Sequence, residues 1–350
     1  MTASPRPQRN SLGDISVLYV AVMARAVAAM QHDPAPWLGQ FGLDDSFLAT
    51  PQARISIPRY MRLGQAAIEL TGNRALGLMI AELTRPVDAG LAGLAAQCAA
   101  SAGEALATLI RYSPLTSRNS RGIPVISDNR LQADFYSIRP YNQYNFFVVD
   151  SVLSAWTQLL RIFTGQQQVL ERVLIEYPAQ GLETRFEEWF QCPVTFGADR
   201  NGLLLAPRVA DLPSLQAQPA MFIELCAQCD RELKKIRRGW TTGDRIKDML
   251  PPLLQGETPE LATVAAKLGL APWTLQRQLA AENTGFRELL DEARRDLAIA
   301  YIRETGSSLS EIAWLLGFSG PAAFHKAYRR WFGLSPGEHR RVLSINFPGA

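Results

Sequence analysis

Cysteine and histidine are scarce in this 350-residue chain, four of one and three of the other. The cysteines are Cys98, Cys192, Cys226 and Cys229, and only the last two are neighbours, as Cys-Ala-Gln-Cys. A structural zinc site takes four ligands, and neither a second cysteine pair nor a nearby histidine completes this one. The pair reads as two buried thiols one helical turn apart, in a chain suited to a reducing cytosol. His32, His325 and His339 stand too far apart in sequence to argue for a metalloenzyme site. A nucleophile elbow, a phosphate-cradling glycine loop and a dinucleotide fingerprint are all missing. No enzyme, metal or cofactor is therefore expected, and the acidic pair Glu187-Glu188 reads as a solvated helix face. Long hydrophobic runs are missing too. Ile15 to Met30 is 16 residues and carries Arg25, short of the roughly 20 apolar residues that span a bilayer. The polar stretch Met1–Asn10 lacks a signal-peptide pattern, so a cytoplasmic, nucleoid-associated protein with no membrane partner is expected.

What is present is enough apolar residue, 47%, to bury a real core, with an ordinary 20% charged. At this length two domains are the natural prior. The net charge is only +3, but it is unevenly placed: from Arg231 onward 18 Lys and Arg face 13 Asp and Glu, a net of +5, and the remainder is slightly acidic. A basic segment suits a phosphate backbone.

Apolar spacings of three and four predict helices over 14–31, 59–83 and Gly90–Tyr112. Ile123–Ile138 reads as a hairpin turning at Asp128-Asn129. Asn145–Phe163 returns to helix. Val169–Tyr177 reads as a strand, Leu182–Phe190 as a helix, and Val194–Ala206 as a strand pair around Asn201-Gly202. Pro207–Pro219 is the exit from a first domain spanning 1–220. Residues 221–242 form a linker helix, and 243–345 a second, all-α domain.

That second domain contains a repeat. Leu261-Ala-Thr-Val-Ala-Ala-Lys-Leu-Gly-Leu270 aligns with Leu309-Ser-Glu-Ile-Ala-Trp-Leu-Leu-Gly-Phe318, 48 residues apart, and the offset becomes 49 at Leu275/Phe324 and Leu279/Tyr328. Two short helices crossing steeply explain each position. Ala265 and Ala313 sit at the crossing, where a larger side chain would force the helices apart. Gly269 and Gly317 fall at the turn, where a left-handed backbone ends the first helix. Val264, Leu268 and Leu270, like Ile312, Leu316 and Phe318, supply the shared core. Thr258-Pro259 reads as an N-cap followed by proline, Ser308 with Glu311 as a capping box, and Pro272 and Pro321 as the starts of second helices. Between the helix-turn-helix units, 261–282 and 309–332, Phe286–Glu304 forms one helix ended by Gly306. Its 19 residues give about 28 Å, close to the roughly 34 Å between successive major-groove faces on one side of B-DNA.

From about 243 to 342 the chain closely resembles the DNA-binding domain of the AraC/XylS family, through Ala265-Ala266-Lys267-Leu268-Gly269-Leu270, Leu275-Gln276-Arg277, Ile312-Ala313, Gly317-Phe318-Ser319, Phe324, Phe332-Gly333-Leu334-Ser335-Pro336 and Arg340. The first domain is more diffusely similar to the arabinose-binding-type effector domain of the ornithine-utilisation-regulator-like branch, a label that names no ligand for this chain. The resemblance implies an α+β effector domain followed by an all-α DNA-binding domain with two helix-turn-helix units joined by a long helix. It implies a transcription regulator that binds duplex DNA, responds to a small molecule and works with RNA polymerase. A homodimer through residues 1–220 fits this expectation.

Matched to the family motif, Trp273, Gln276 and Arg277 face bases, with Thr274 beside them. Arginine suits guanine and glutamine suits adenine as two-point contacts. The second unit presents Ala322, Ala323, His325 and Lys326, where the family commonly has polar residues. Two alanines make no such contacts, so this unit is expected to rely on Lys326, His325 and phosphate contacts from Arg329 and Arg330. For the effector, Tyr136, Arg139, Tyr141 and Tyr144, with Asn142 and Asn145, read either as a pocket for a small polar molecule or as a loop packed on the following helix. The competing function is a ligand-independent DNA-binding regulator whose first domain only dimerises or contacts other proteins.

Overall fold

A computed structural model describes residues 12–50, 52–237, 240–254 and 256–346. The chain divides into two compact units, one of residues 14–119 and 123–236, the other built chiefly from residues beyond 236.

The first unit is α+β. Strand β1 (Gly13–Ser16) leads into α1 (Val17–Ala29), followed by α2 (Pro34–Gln40), α3 (Asp45–Leu48), β2 (Arg54–Ser56), α4 (Ile57–Thr71), α5 (Leu76–Glu82), α6 (Gly90–Gln97), α7 (Ala102–Tyr112) and β3 (Ser117–Asn119). These strands form a small sheet in the order β2-β1-β3. Asp14 stitches it by accepting from Arg54 of β2 at 2.5 Å and from Arg118 of β3 at 2.8 Å.

Then come β4 (Val125–Ile126), β5 (Gln132–Phe135), α8 (Phe146–Thr164), β6 (Leu170–Ile175), α9 (Glu183–Phe190), β7 (Val194–Phe196), β8 (Asn201–Leu205) and α10 (Pro219–Arg237). The larger sheet runs β4-β5-β8-β6-β7. Its core lies under α8, whose Phe147, Leu153, Leu160 and Phe163 are buried. Among the described residues α8 is also the one helix long and apolar enough to cross a membrane, and it is mostly buried inside the protein.

Several boundaries differ from the sequence reading, each for a local reason. Residues 14–16 are strand, and the helix starts only at Val17, where Ser16 accepts from the Leu18 N–H. The 59–83 helix is two, because Gly72 turns left-handed at φ 67°. The alanine-rich helix breaks where Ser101 caps α7 and bridges to Pro213. The hairpin at Asp128-Asn129 forms, with Val125 opposite Asp134. The strand pair at 194–206 does not: β7 runs parallel to β6, and β8 inserts between β5 and β6, with Asn201 opposite Phe135. Helix α10 is described to Arg237, and Trp240 and Thr241 are not helical, so the linker helix does not run to 242; its inner side, with Cys229 buried and Cys226 half-buried, packs on Ala92, Ala95 and Tyr112.

The second unit is helical: α11 (Thr242–Met249), α12 (Leu261–Lys267), α13 (Pro272–Ala281), α14 (Phe286–Glu304), α15 (Leu309–Leu315), α16 (Pro321–Phe332) and α17 (Pro336–Asn346). Its core is the inner face of α14, with Leu290, Leu297, Ala298 and Tyr301 buried. Helices α12 and α13 are packed together, as are α15 and α16.

Candidate nucleic-acid interface

The two turns of the repeat close with the same long-range backbone bond. Leu270 N–H donates to the Ala265 carbonyl at 2.9 Å, and Phe318 N–H to the Ala313 carbonyl at 3.0 Å. This is the six-to-one bond that closes a helix over a left-handed glycine, here Gly269 at φ 69° and Gly317 at φ 64°. Ala265, Val264, Ala313 and Ile312 are buried at the crossings, and Leu275, Leu279, Phe324 and Tyr328 hold the second helices by their inner faces. Pro272 and Pro321 open those helices, and the Ser308–Glu311 capping box is present in both directions.

One cap is different. Helix α12 starts at Leu261 without a side-chain cap, and Thr258 instead donates its hydroxyl to the Gly317 carbonyl at 3.0 Å. A threonine that looks local in sequence thus serves the distant second turn. The joining helix α14 is unbroken over 19 residues and ends at Glu304, with Thr305 rather than Gly306 as its cap.

The outer face of α13 carries Trp273, Gln276 and Arg277, all exposed, with Thr274 half-buried between them. Trp273 is 62% exposed, and the Arg277 guanidinium lies 5.2 Å from the centre of its ring. Stacking of this kind restrains a long side chain while leaving its donors free to bond elsewhere. On α16, Ala322, Lys326, Arg329 and Arg330 are exposed, and Ala323 and His325 are half-buried. Neither Arg277 nor Lys326 makes an ion pair among the described residues. Arg330 does: it pairs with Asp291 of α14, which also accepts from the Trp331 indole at 2.8 Å.

Sequence reasoning missed the side chains that hold these helices in place. Arg294 of α14 donates to the carbonyls of Leu316 and Gly317, at 2.8 Å each, and to the Thr258 hydroxyl at 2.8 Å. Its guanidinium also stacks 4.7 Å from the centre of the Phe318 ring. The available signal was a charge at an inward position of α14, four residues from both Leu290 and Ala298. In the first unit Glu282, at the end of α13, accepts from the Thr242 and Gly243 N–H groups at 2.7 and 2.9 Å, capping α11. Burial works to raise the Glu282 pKa, but these backbone donors outweigh it and hold the carboxyl below its ordinary range.

The residues expected to bind an effector are only partly together. Arg139 pairs with Glu176, whose side chain is 5% exposed. Tyr141 donates its hydroxyl to the same carboxylate, and Asn201 donates to Tyr141 at 2.7 Å and to Glu176 at 2.8 Å. Asn145 donates to the Ile138 and Pro140 carbonyls, and Asn142 accepts from the Tyr144 N–H, so both amides shape the loop itself. Through its carbonyl, Tyr136 accepts from Asn119 at 2.5 Å, while the Tyr144 ring is exposed.

Two helix-turn-helix units on one shared helix, carried behind an α+β domain, define a DNA-binding transcription regulator. Comparison with known proteins places it further. Residues 32–214 match the N-terminal arabinose-binding domain of AraC transcription regulators, and residues 264–342 match a helix-turn-helix domain. The chain belongs to the AraC family of transcription regulators. It is 26% identical to the ornithine utilization regulator of Pseudomonas aeruginosa, over 84% of this chain and 87% of that one. It is 25% identical to the HTH-type transcriptional regulator VirS of Mycobacterium tuberculosis, over 90% of this chain and 92% of that one. The solved structure of the transcriptional regulator CdpR from Pseudomonas aeruginosa covers 93% of this chain and 98% of its own, at 24% identity and a TM-score of 0.44. These relatives are regulators, not enzymes.

Proposed function

We propose a division of labour between the two units on one DNA duplex. Arg277 and Gln276 read base edges in the major groove, Trp273 packs apolar surface against a thymine methyl or sugar edge, and Thr274 supports them. In the second unit Lys326, His325 and Arg329 hold phosphates, and Ala322 and Ala323 let the helix approach closely without specifying bases. Arg330, paired with Asp291, steadies α16 and lends the backbone only the part of its charge that this pair leaves.

The observation that carries the reading is the unbroken α14, about 28 Å long, between two identically closed turns. Arg277→Ala is expected to cost about 1–3 kcal/mol at particular base pairs and to relax the sequence preference there. Lys326→Ala is expected to weaken binding evenly across sequences and to lower the salt slope by about one. An operator scan at two salt concentrations checks both. The reverse assignment of the two effects would reject the division.

The N-terminal α+β domain is proposed to sense a small polar molecule near Tyr136, Arg139, Tyr141 and Tyr144, and so to bias the pairing of two copies and the recruitment of RNA polymerase. Such a molecule acts only by binding one arrangement better than another. One observation favours the alternative of a ligand-independent N-terminal domain that only dimerises or contacts other proteins: Arg139, Tyr141, Glu176 and Asn201 already bond to each other. Operator affinity of the full chain, with and without a metabolite extract, separates the two readings. A change in affinity supports the sensor.

A further inference from the structure

Three stretches of chain meet at one guanidinium. Arg294 stands near the middle of α14. It bonds to two carbonyls at the end of α15 and to the hydroxyl of Thr258, which itself donates to one of those carbonyls. Glu257 is pressed into the same place, because a Cβ on Gly317 would lie 2.1 Å from its carbonyl oxygen. One helical turn earlier, Asp291 holds Arg330 and Trp331 of α16, and the Trp331 ring lies 6.1 Å from Phe318, the ring on which Arg294 stacks. Helix α14 therefore grips the second unit at two points, its turn and the far end of its outer helix.

The first unit has no such grip. Among the described residues no side chain donates to the Leu268 or Gly269 carbonyl, and a Cβ on Gly269 would meet nothing within 4 Å. Its hold comes from Glu282 on α11 instead.

The chemistry at Arg294 needs a planar fork. Carbonyls at a helix C-terminus carry partial negative charge and favour a cation. Only a guanidinium can reach two of them and a hydroxyl while laying its face on a ring. Burial lowers its pKa below the ordinary arginine value, and the charge of Asp291 offsets part of that.

We propose that Arg294 is the positioning residue that fixes the angle of α16 relative to α14, so that the second unit meets the duplex in register with the first. It touches no DNA. Its loss leaves both units folded but uncoupled: the chain keeps the contacts of α13 and loses those of α16.

The test uses the full chain and a duplex selected from random sequence by the wild-type protein. Hydroxyl-radical footprinting and affinity are measured for wild type, Arg294→Ala, Arg294→Lys and Thr258→Val. Arg294→Ala is expected to keep protection at the groove segment read by α13, to lose it at the other, and to bind roughly tenfold more weakly. Neutralising phosphates in the second segment with methylphosphonates, which weakens wild type, should no longer matter to it. Arg294→Lys should fail to restore the second footprint, and Thr258→Val should lie between. Should Arg294→Ala not fold, Thr258→Val and Arg294→Lys carry the same test. Uniform loss at both segments, no loss at either, or a wild-type footprint of one segment only overturns the proposal. A wild-type chain without salt-sensitive affinity for any duplex would instead defeat the division of labour between the two units.

Discussion

Gly317→Ala is expected to destabilise the second unit by roughly 3–5 kcal/mol, whereas Gly269→Ala should cost only about 1–2 kcal/mol. Both glycines have left-handed backbones, at φ 64° and 69°, so both substitutions pay the same conformational charge. They differ in what surrounds the new methyl group. At Gly269 it enters open space, but at Gly317 it would stand 2.1 Å from the Glu257 carbonyl oxygen and 2.9 Å from that of Leu254. Those are backbone atoms, so relief requires moving Leu254 and Glu257. That movement would pull Thr258 away from the Gly317 carbonyl and from Arg294. Urea denaturation of both variants, followed by tryptophan fluorescence, checks the ranking. Equal losses would mean that the segment yields without cost.

The second large effect concerns Asp150, on the inner side of α8. It is 3% exposed and accepts a hydrogen bond from the Tyr177 hydroxyl. Burial pushes its pKa up to about 7, against the smaller opposing effect of the tyrosine donor. In the unfolded chain the same carboxyl titrates near its usual value of about 3.9. Between these two values the folded protein holds a proton that the unfolded chain has released. Stability from this group is therefore complete below about pH 4 and lost as pH rises toward and through 7. The span is about three pKa units, or roughly 4 kcal/mol. Asp150→Asn keeps an acceptor for Tyr177 and cannot ionise. Its stability relative to wild type should rise from pH 4 to pH 8, and thermal denaturation across that range checks it. A difference independent of pH would show that Asp150 stays charged in the folded state.

What the sequence made legible was what neighbouring residues decide. Capping serines, prolines at first turns, left-handed glycines and i, i+4 apolar pairs act within a few residues, and the repeat displays them twice. The long helix and both turns could therefore be read before any fold was known. Long-range decisions could not. Nothing near Asn201 announces that it opens a strand lying between two others, and Thr258 resembles a cap because its partner is 59 residues away. Arg294 belongs to the same class, and so does Arg161 of α8. Its guanidinium donates to the Trp189 and Phe190 carbonyls at the end of α9 and stacks 4.7 Å from the Trp189 ring. An arginine inside an apolar stripe looks like an interruption until the carbonyls it caps are known. The outward residues of α13 and α16 were legible as a face, because their positions follow from the inward ones. What they touch depends on a partner the chain does not encode.

The position of β8 bears on how the chain is made. This strand is the last of its sheet to be synthesised, yet it lies in the middle. Until Leu205 has left the ribosome, β5 and β6 each present a bare edge, and such edges recruit foreign strands. The nascent first domain thus carries an open edge from the completion of β5 at Phe135 until β8 is made at Leu205. The helical unit that follows is assembled largely from near neighbours in sequence and has no comparable wait.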